Sequence, residues 1–443
     1  MAVSGTIDLN PEFAKALAIL EESDQSVFIT GQAGTGKSTL LRYFRENTKK
    51  NIVVLAPTGV AAINVQGQTI HSFFRFRPDV TPDAAWRVRP NNEKLYRNLD
   101  TIVIDEVSMV RADLLDCADA FLRRFGKKPG EPFGGVQMVF IGDLYQLPPV
   151  VKEKERILFE EYYQSPYFFS ARSFQEIHPA FVEFEKVYRQ NDEQFLAILN
   201  RIRSNTVSDE DLRILNERVI PGYVPEEGEF VVYLTTTKER AQRINEERMQ
   251  RLKGEERLYM GVLTGSFENS KTKDLPADLE LRLKKGAQVM LLNNDPLGQW
   301  VNGTMGQVVG FEKREWGEVV VLNLENGEEV EVGPHVWDMF EFYYDERAQR
   351  IATRQIGSFT QYPLRLAWAI TIHKSQGLTF DRVVIDLGRG TFAHGQLYVA
   401  LSRCRTLEGI VLRQPVRREH ILMDEAVVRF LAEYRDRRES QSG

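Results

Sequence analysis

Residues 31–38, Gly31-Gln32-Ala33-Gly34-Thr35-Gly36-Lys37-Ser38, match the pattern G-x-x-x-x-G-K-[ST] at every position. The run before them, Ser26-Val27-Phe28-Ile29-Thr30, reads as a short buried strand. Thr39-Leu40-Leu41-Arg42-Tyr43-Phe44 continues after them at helical spacing. A strand, a glycine loop and a helix in that order is the context in which the pattern becomes a phosphate cradle. Glycines let successive backbone N–H groups turn inward, and the helix N-terminus adds its dipole. Lys37 is expected to reach the β- and γ-phosphates and the Ser38 hydroxyl to take Mg²⁺. Gly31, Gly34, Thr35, Gly36 and Thr39 complete the expected cradle. The feature commits the chain to an α/β architecture and predicts that it binds a nucleoside triphosphate.

Three further apolar runs suit parallel strands buried on both faces: Asn51–Ala56, Asp100–Asp105 and Gln137–Asp143. The second ends in Asp105-Glu106, the Walker B arrangement. Asp105 is expected to hold Mg²⁺ and Glu106 to orient or deprotonate the attacking water. The third leads into Gly142-Asp143-Leu144-Tyr145-Gln146-Leu147-Pro148-Pro149-Val150. An amide at that strand exit either senses a γ-phosphate, with the stiff Pro148-Pro149 segment transmitting its position, or caps the loop. The polar stretch 75–98 reads as an insertion on this framework.

The length of 443 residues suggests about three domains. A second alternating region is expected from residue 180, with a strand at Phe230–Thr235 and a charged helix over 238–252. From 304 to 362 the texture shifts to short strands with an Asn326-Gly327 turn, which predicts a small antiparallel barrel inserted into the second α/β domain. Leu364–Ile370 and Arg382–Leu387 are strand-like again. The expected boundaries are therefore 1–179, then 180–303 with 363–435, with the insertion at 304–362 and a frayed tail at 436–443. A net charge of −6 leaves room for a local basic groove. The two cysteines, Cys117 and Cys404, fit no metal pattern. No run of about 18 apolar residues occurs and no leader pattern opens the chain, so a prokaryotic cytoplasm and no membrane partner are expected.

Taken together, several segments resemble the ordered motifs of superfamily 1B helicases. Gly142–Val150 resembles motif III, Ala56–Ala62 motif Ia, and Thr69–Phe74 motif Ib. Val187-Tyr188-Arg189-Gln190 is similar to motif IV, Ala369–Thr379 to motif V, and Tyr398–Arg405 to motif VI. The stretch Leu114–Gln137, ending Pro132-Phe133-Gly134-Gly135-Val136-Gln137, is similar to the signature of the Pif1 family. The resemblance runs from about residue 8 to 413. Many relatives carry a base-reading Gln near the N-terminus where this chain has Leu9-Asn10-Pro11-Glu12-Phe13, so ATP is expected as fuel on weaker grounds than hydrolysis itself.

The resemblance implies two RecA-like P-loop domains, a small wedge and an inserted SH3-like β-barrel. It also implies a monomeric 5′→3′ DNA helicase using ATP and Mg²⁺, moving on single-stranded DNA and opening tailed duplexes. G-quadruplexes and RNA–DNA hybrids enter on family grounds alone. Gln146, Arg189 and Arg403 join Lys37, Asp105 and Glu106 as catalytic candidates, both arginines being expected from the second domain to neutralise transition-state charge; Arg405 is expected to be structural. Thr58, His71, Phe73, Pro148, Thr371, His373, Lys374 and Ser375 are the expected strand contacts. The polar ones suit phosphates, or are satisfied loop groups. Phe73, Phe74 and Trp86 either stack on bases or pack in the core, which suits Phe73 and Phe74 best. Alternatives are a translocase that displaces bound proteins, and a nucleotide-dependent switch or scaffold without motor activity.

Overall fold

The structure, a computed structural model, describes all residues except 1–9, 33, 152, 189–191, 227, 270–274, 389 and 443. It divides into two compact units: a P-loop unit of residues 5–189, 339–356 and 423–443, and a second unit of 1–4, 190–338 and 357–422. The expected α/β class with parallel sheets is what is found.

In the P-loop unit, β1 (Val27–Gly31), β2 (Ile52–Ala56), β3 (Gln68–Thr69), β4 (Thr101–Ile104), β5 (Gln137–Ile141) and β6 (Ala180–Phe184) form one parallel sheet in the order β3-β2-β4-β5-β1-β6. Every residue of β1, β4 and β5 is buried. That is why their sequences are unbroken apolar runs rather than alternating ones. Strand pleating sends Val27 and Ile29 to one face, against Phe13, Ala16 and Leu20 of the helix Pro11–Glu22 and Leu40, Leu41 and Phe44 of the helix Lys37–Asn47. Phe28 and Phe140 go to the other, meeting Phe168 at ring distances of 5.3 and 5.6 Å.

Two expectations about boundaries are corrected. A division at 179/180 would cut through this sheet, because β6 pairs with β1 along its whole length. The tail expected to fray is instead the end of a helix, Glu425–Ser442. That helix packs on the P-loop unit through Phe430, stacked 4.1 Å from Phe169, and through Arg435, paired with Glu183 at 2.9 Å.

The Leu114–Gln137 signature is a structural clasp. The Asp119 carboxylate accepts from the backbone N–H of Phe133 at 2.6 Å and from Arg123 Nε at 2.6 Å. This holds a turn in which Phe133 and Gly134 have φ of 49° and 60°. A Cβ on Gly134 would lie 2.3 Å from the Leu122 carbonyl oxygen, so this turn and the helix Ala112–Phe125 touch backbone to backbone. The 75–98 stretch is helical in part, Pro82–Arg87 and Glu93–Arg97.

In the second unit β7 (Val232–Thr235) is followed by a β-rich stretch: β8 (Arg257–Met260), β9 (Val262–Gly265), β10 (Glu280–Leu283), β11 (Gln288–Leu291), β12 (Met305–Arg314), β13 (Gly317–Leu324), β14 (Glu329–Val332), β15 (His335–Asp345), β16 (Arg350–Gln361) and β17 (Leu364–Leu366). These make sheets ordered β14-β13-β12-β11-β17, β15-β16-β9 and β10-β8. The middle of the hairpin β15–β16, residues 339–356, is the part that belongs with the P-loop unit. Val289, Val308, Val320, Leu322 and Leu364 lie in the core of the β-rich stretch. The insertion thus runs from 257 to 366, wider than the expected 304–362. The chain then enters a parallel sheet ordered β18-β7-β19-β20, with β18 (Ala369–Thr371), β19 (Val383–Asp386) and β20 (Ile410–Leu412). The single run expected at Leu364–Ile370 is two strands, β17 antiparallel to β11 and β18 parallel to β7.

Candidate functional site

Because the first sheet is parallel, its loops leave from one edge, and β5 stands between β1 and β4. The glycine loop, Asp105-Glu106 and Gly142–Gln146 are therefore neighbours by topology. Ligands of open α/β sheets gather at this edge.

Lys37 opens its helix, and its ammonium donates to the carbonyl oxygens of Gly31 and Gln32, both at 2.7 Å. Thr35 is buried and donates to the Gln32 carbonyl at 2.9 Å. A Cβ on Gly31 would fall 2.5 Å from the Phe184 carbonyl oxygen, so the close approach of β6 requires glycine there. Gly36 precedes the helix at φ 94° and Gly34 has φ 82°, conformations that turn N–H groups inward. Ser38 and Thr39 follow in the first helical turn. Ala33 lies outside the described residues.

Asp105 follows β4, its backbone N–H bonded to the Leu55 carbonyl at 2.9 Å. Burial pushes its carboxyl above the usual range, opposed by a hydrogen bond from the Glu106 backbone and by the charge of Lys37. Glu106 itself has φ 51°, a left-handed conformation that a non-glycine residue adopts under strain. Gly142 makes room for that turn: a Cβ there would lie 3.1 Å from the backbone nitrogen of Val107. Gln146 is buried, and its side-chain nitrogen lies 3.4 Å from Asp143 Oδ2. Asp143 Oδ1 also accepts from the Tyr145 N–H at 3.2 Å. Asp143, quoted in the motif without a role of its own, is thus one of the groups that hold Gln146. Pro148 lies two residues beyond, half-buried.

At the same edge Thr58 caps the helix Gly59–Asn64, its oxygen accepting from the Ala61 N–H at 3.2 Å while its O–H can still donate. His71 follows β3 in the helix Ile70–Phe74, and burial lowers its pKa, so its ring is neutral at pH 7. Phe73 is corrected as a strand contact. It is 3% exposed and packed against Phe74, Tyr96 and Phe342 at ring distances of 4.9, 5.2 and 6.1 Å. Trp86 is the aromatic of this region that stays open, at 46%.

Arg189 lies outside the described residues. Its neighbour Tyr188 belongs to the P-loop unit, contrary to the expected assignment of this segment to the second domain, and its backbone N–H donates to the Gly34 carbonyl at 3.0 Å. The Tyr188 hydroxyl accepts from Asn10 Nδ2 at 3.2 Å. The Asn10-Pro11 pair, a helix-start signature, could have flagged Asn10 as a fixed point beside this loop.

In the second unit Thr371 ends β18, and His373, Lys374 and Ser375 form the turn after it. Thr371 Oγ1 accepts from the Lys374 N–H at 3.2 Å. Burial lowers the pKa of His373. Lys374 is exposed as a residue, yet crowding by protein atoms brings its ammonium down to about 8; Arg365 and Lys238 reinforce the shift and Asp278 opposes it. Sequence reading missed Arg365 and Lys238 because they are remote in the chain. Ser375 is corrected: it is fully buried and its hydroxyl donates to the Ile372 carbonyl at 2.8 Å.

Arg403, expected as a catalytic group, is bonded within the second unit. It is 1% exposed, and its guanidinium donates to the carbonyls of Val399, Ser375 and Leu378 at 3.0, 3.3 and 3.1 Å and to Ser402 Oγ at 2.8 Å. These bonds tie the 375–378 loop to the end of the helix Gln396–Leu401. Arg405 is paired with Asp381 at 2.7 Å on the surface.

A parallel sheet whose first strand feeds a glycine loop, with acids and an oriented amide on the next two strand ends, defines a P-loop nucleotide-binding protein. A profile described as PIF1-like helicase matches residues 11–212, one described as DNA helicase Pif1, 2B domain matches 266–311, and one described as UvrD-like helicase C-terminal domain matches 366–411. The ATP-dependent DNA helicase Pif1 of Bdellovibrio bacteriovorus is 34% identical over 413 residues, which is 92% of this chain and 88% of that protein. Human ATP-dependent DNA helicase PIF1 is 38% identical over 394 residues, 87% of this chain. Pif1 from Bacteroides sp in complex with ADP-AlF4 matches with a TM-score of 0.87 at 38% identity, covering 97% of both chains. Bacteroides Pif1 bound to ssDNA matches at 0.69, again at 38% identity and 97% of both chains. The chain belongs to the Pif1 helicase family. It spans 58% of the length of the human relative.

Proposed function

We propose that this protein is an ATP-dependent DNA helicase that moves 5′→3′ on single-stranded DNA and opens tailed duplexes. The observation that carries the reading is the single sheet edge bearing the glycine loop, Asp105-Glu106 and the Asp143-bonded Gln146, with Thr58 and His71 on the loops of its adjoining strands. Nucleotide chemistry and strand contacts on one rigid sheet are what coupling requires. Lys37 draws the phosphates, Glu106 orients the attacking water, Gln146 senses the terminal phosphoryl group, and Arg189 supplies transition-state charge. The Ser38 hydroxyl and the half-buried Asp105 carboxylate are hard oxygen donors that suit Mg²⁺, whose charge when bound offsets that of the phosphate oxygens. Thr371, His373 and Lys374 supply phosphate contacts from a second RecA-like lobe. Within 257–366 the fold is proposed to be an SH3-like barrel, and the helices of 75–98 a wedge. Action on G-quadruplexes and RNA–DNA hybrids, a monomeric state and a prokaryotic cytoplasmic location are proposed on family grounds. Among the described residues no helix is long and apolar enough to cross a membrane.

The test is ATP turnover with and without single-stranded DNA, followed by strand displacement on 5′-tailed and 3′-tailed duplexes. Strong stimulation and displacement from the 5′ tail alone are expected. Turnover indifferent to DNA would overturn the motor reading, and displacement from the 3′ tail would reverse the direction.

Lys374 gives this reading a pH signature. With its ammonium lowered to about 8, it is charged below that pH and neutral above it, so a phosphate contact is lost as pH rises. Between roughly pH 7 and pH 9, affinity for single-stranded DNA is expected to fall and its salt slope to shrink by about one. Lys374→Arg is expected to remove the pH effect; an unchanged profile in that variant would place the titrating group elsewhere.

A further inference from the structure

Phe392 is 62% exposed, unusual for a ring so large, and its backbone is anchored. Its backbone N–H donates to Oε1 of the fully buried Gln396 at 3.0 Å, and the neighbouring Thr391 hydroxyl donates to the His420 carbonyl at 2.8 Å. The turn is thus fixed on both sides while the ring stands in solvent. Its other neighbour is the His373 imidazole, nearly parallel at 16° with ring centroids 6.2 Å apart. Lys374, with Arg365 and Lys238 acting on its ammonium, adds positive charge next to that imidazole.

An anchored, exposed aromatic beside a run of polar and cationic donors is the composition of a single-strand platform: charges track the backbone and a flat ring takes a base. A packed-core role is excluded by its exposure. We infer that Phe392 is a base-stacking residue for single-stranded nucleic acid, with His373 and Lys374 holding the adjacent phosphates. The inference rests on the proposed strand-binding function and deepens it, since it adds a base contact from the turn before the helix Gln396–Leu401 to the phosphate contacts of the motif V loop.

The experiment is fluorescence anisotropy with two oligonucleotides of about 15 residues, oligo(dA) and an abasic strand of the same backbone length. Phe392→Ala is expected to weaken oligo(dA) binding roughly tenfold, the scale of one lost base–aromatic stack. It should leave abasic binding unchanged, and Phe392→Tyr should restore oligo(dA) binding. Equal weakening on both strands would mean that the ring supports the loop rather than a base, and would overturn the assignment. So would no weakening on oligo(dA) while the unsubstituted protein binds it. Failure of the unsubstituted protein to bind either strand would instead remove the strand-binding function itself, and the inference with it. Thermal unfolding of the variants keeps a folding defect from passing as lost stacking.

Discussion

Lys37→Ala is expected to lower ATP turnover by about 10²–10³-fold while the protein stays folded, because a half-buried donor aimed at transition-state charge contributes on that scale. The ammonium lies 2.7 Å from the carbonyls of Gly31 and Gln32, at the mouth of the glycine loop. Gly31 ends β1 and Gln32 lies on the half-buried loop after it, and the loss of stability should stay near 1 kcal/mol per bond. The loop conformation itself is held by other contacts: buried Thr35 on Gln32, Tyr188 on Gly34, and the close seat of Gly31 against β6. Steady-state turnover, circular dichroism and urea unfolding measured together separate the two effects. Turnover within tenfold of the unsubstituted protein would remove Lys37 from the chemistry. A large drop in the unfolding midpoint would make it a structural residue.

The same loop shows why part of this molecule is legible without coordinates. A phosphate cradle depends on residues contiguous in the chain, so its geometry is written locally. Glycines at 31, 34 and 36 have φ of 147°, 82° and 94°, and the helix begins at Lys37. Strands buried on both faces leave unbroken apolar runs, so β1, β2, β4 and β5 were all placed within a residue or two.

What was not legible depends on partners far away in sequence. β6 reads Ala180-Phe181-Val182-Glu183-Phe184, which could begin a new domain as easily as end an old one; only its pairing with β1 decides. The insertion is wider than expected because Leu258 and Met260 of β8 are exposed opposite Arg282 and Glu280, so these apolar residues of β8 mark the outer face while Leu281 and Leu283 of β10 carry the buried one. Polar motif residues carry the same ambiguity. Ser375 and Lys374 are adjacent, yet one hydroxyl is bonded back into the loop and the other side chain is exposed. Residue type announces a donor but not the direction in which it donates.

Arg403 is the sharpest case, and its substitution is expected to act on folding before it acts on chemistry. Arg403→Ala removes a fully buried guanidinium and leaves the carbonyls of Ser375, Leu378 and Val399 without the donor they face. Leaving a buried carbonyl without its donor typically costs about 1–3 kcal/mol. Lysine keeps the charge but offers a point donor where a planar fork is needed, so Arg403→Lys should recover only part of the loss. Urea unfolding should show the second unit melting early in the alanine variant, with the midpoint of the lysine variant lying between. DNA affinity should fall in step, because the loop tied down by Arg403 also carries Thr371, His373 and Lys374. If the alanine variant instead unfolds at the original midpoint and loses only turnover, the buried bonds are not what holds that loop. The guanidinium would then belong to the phosphoryl group, as the motif first suggested.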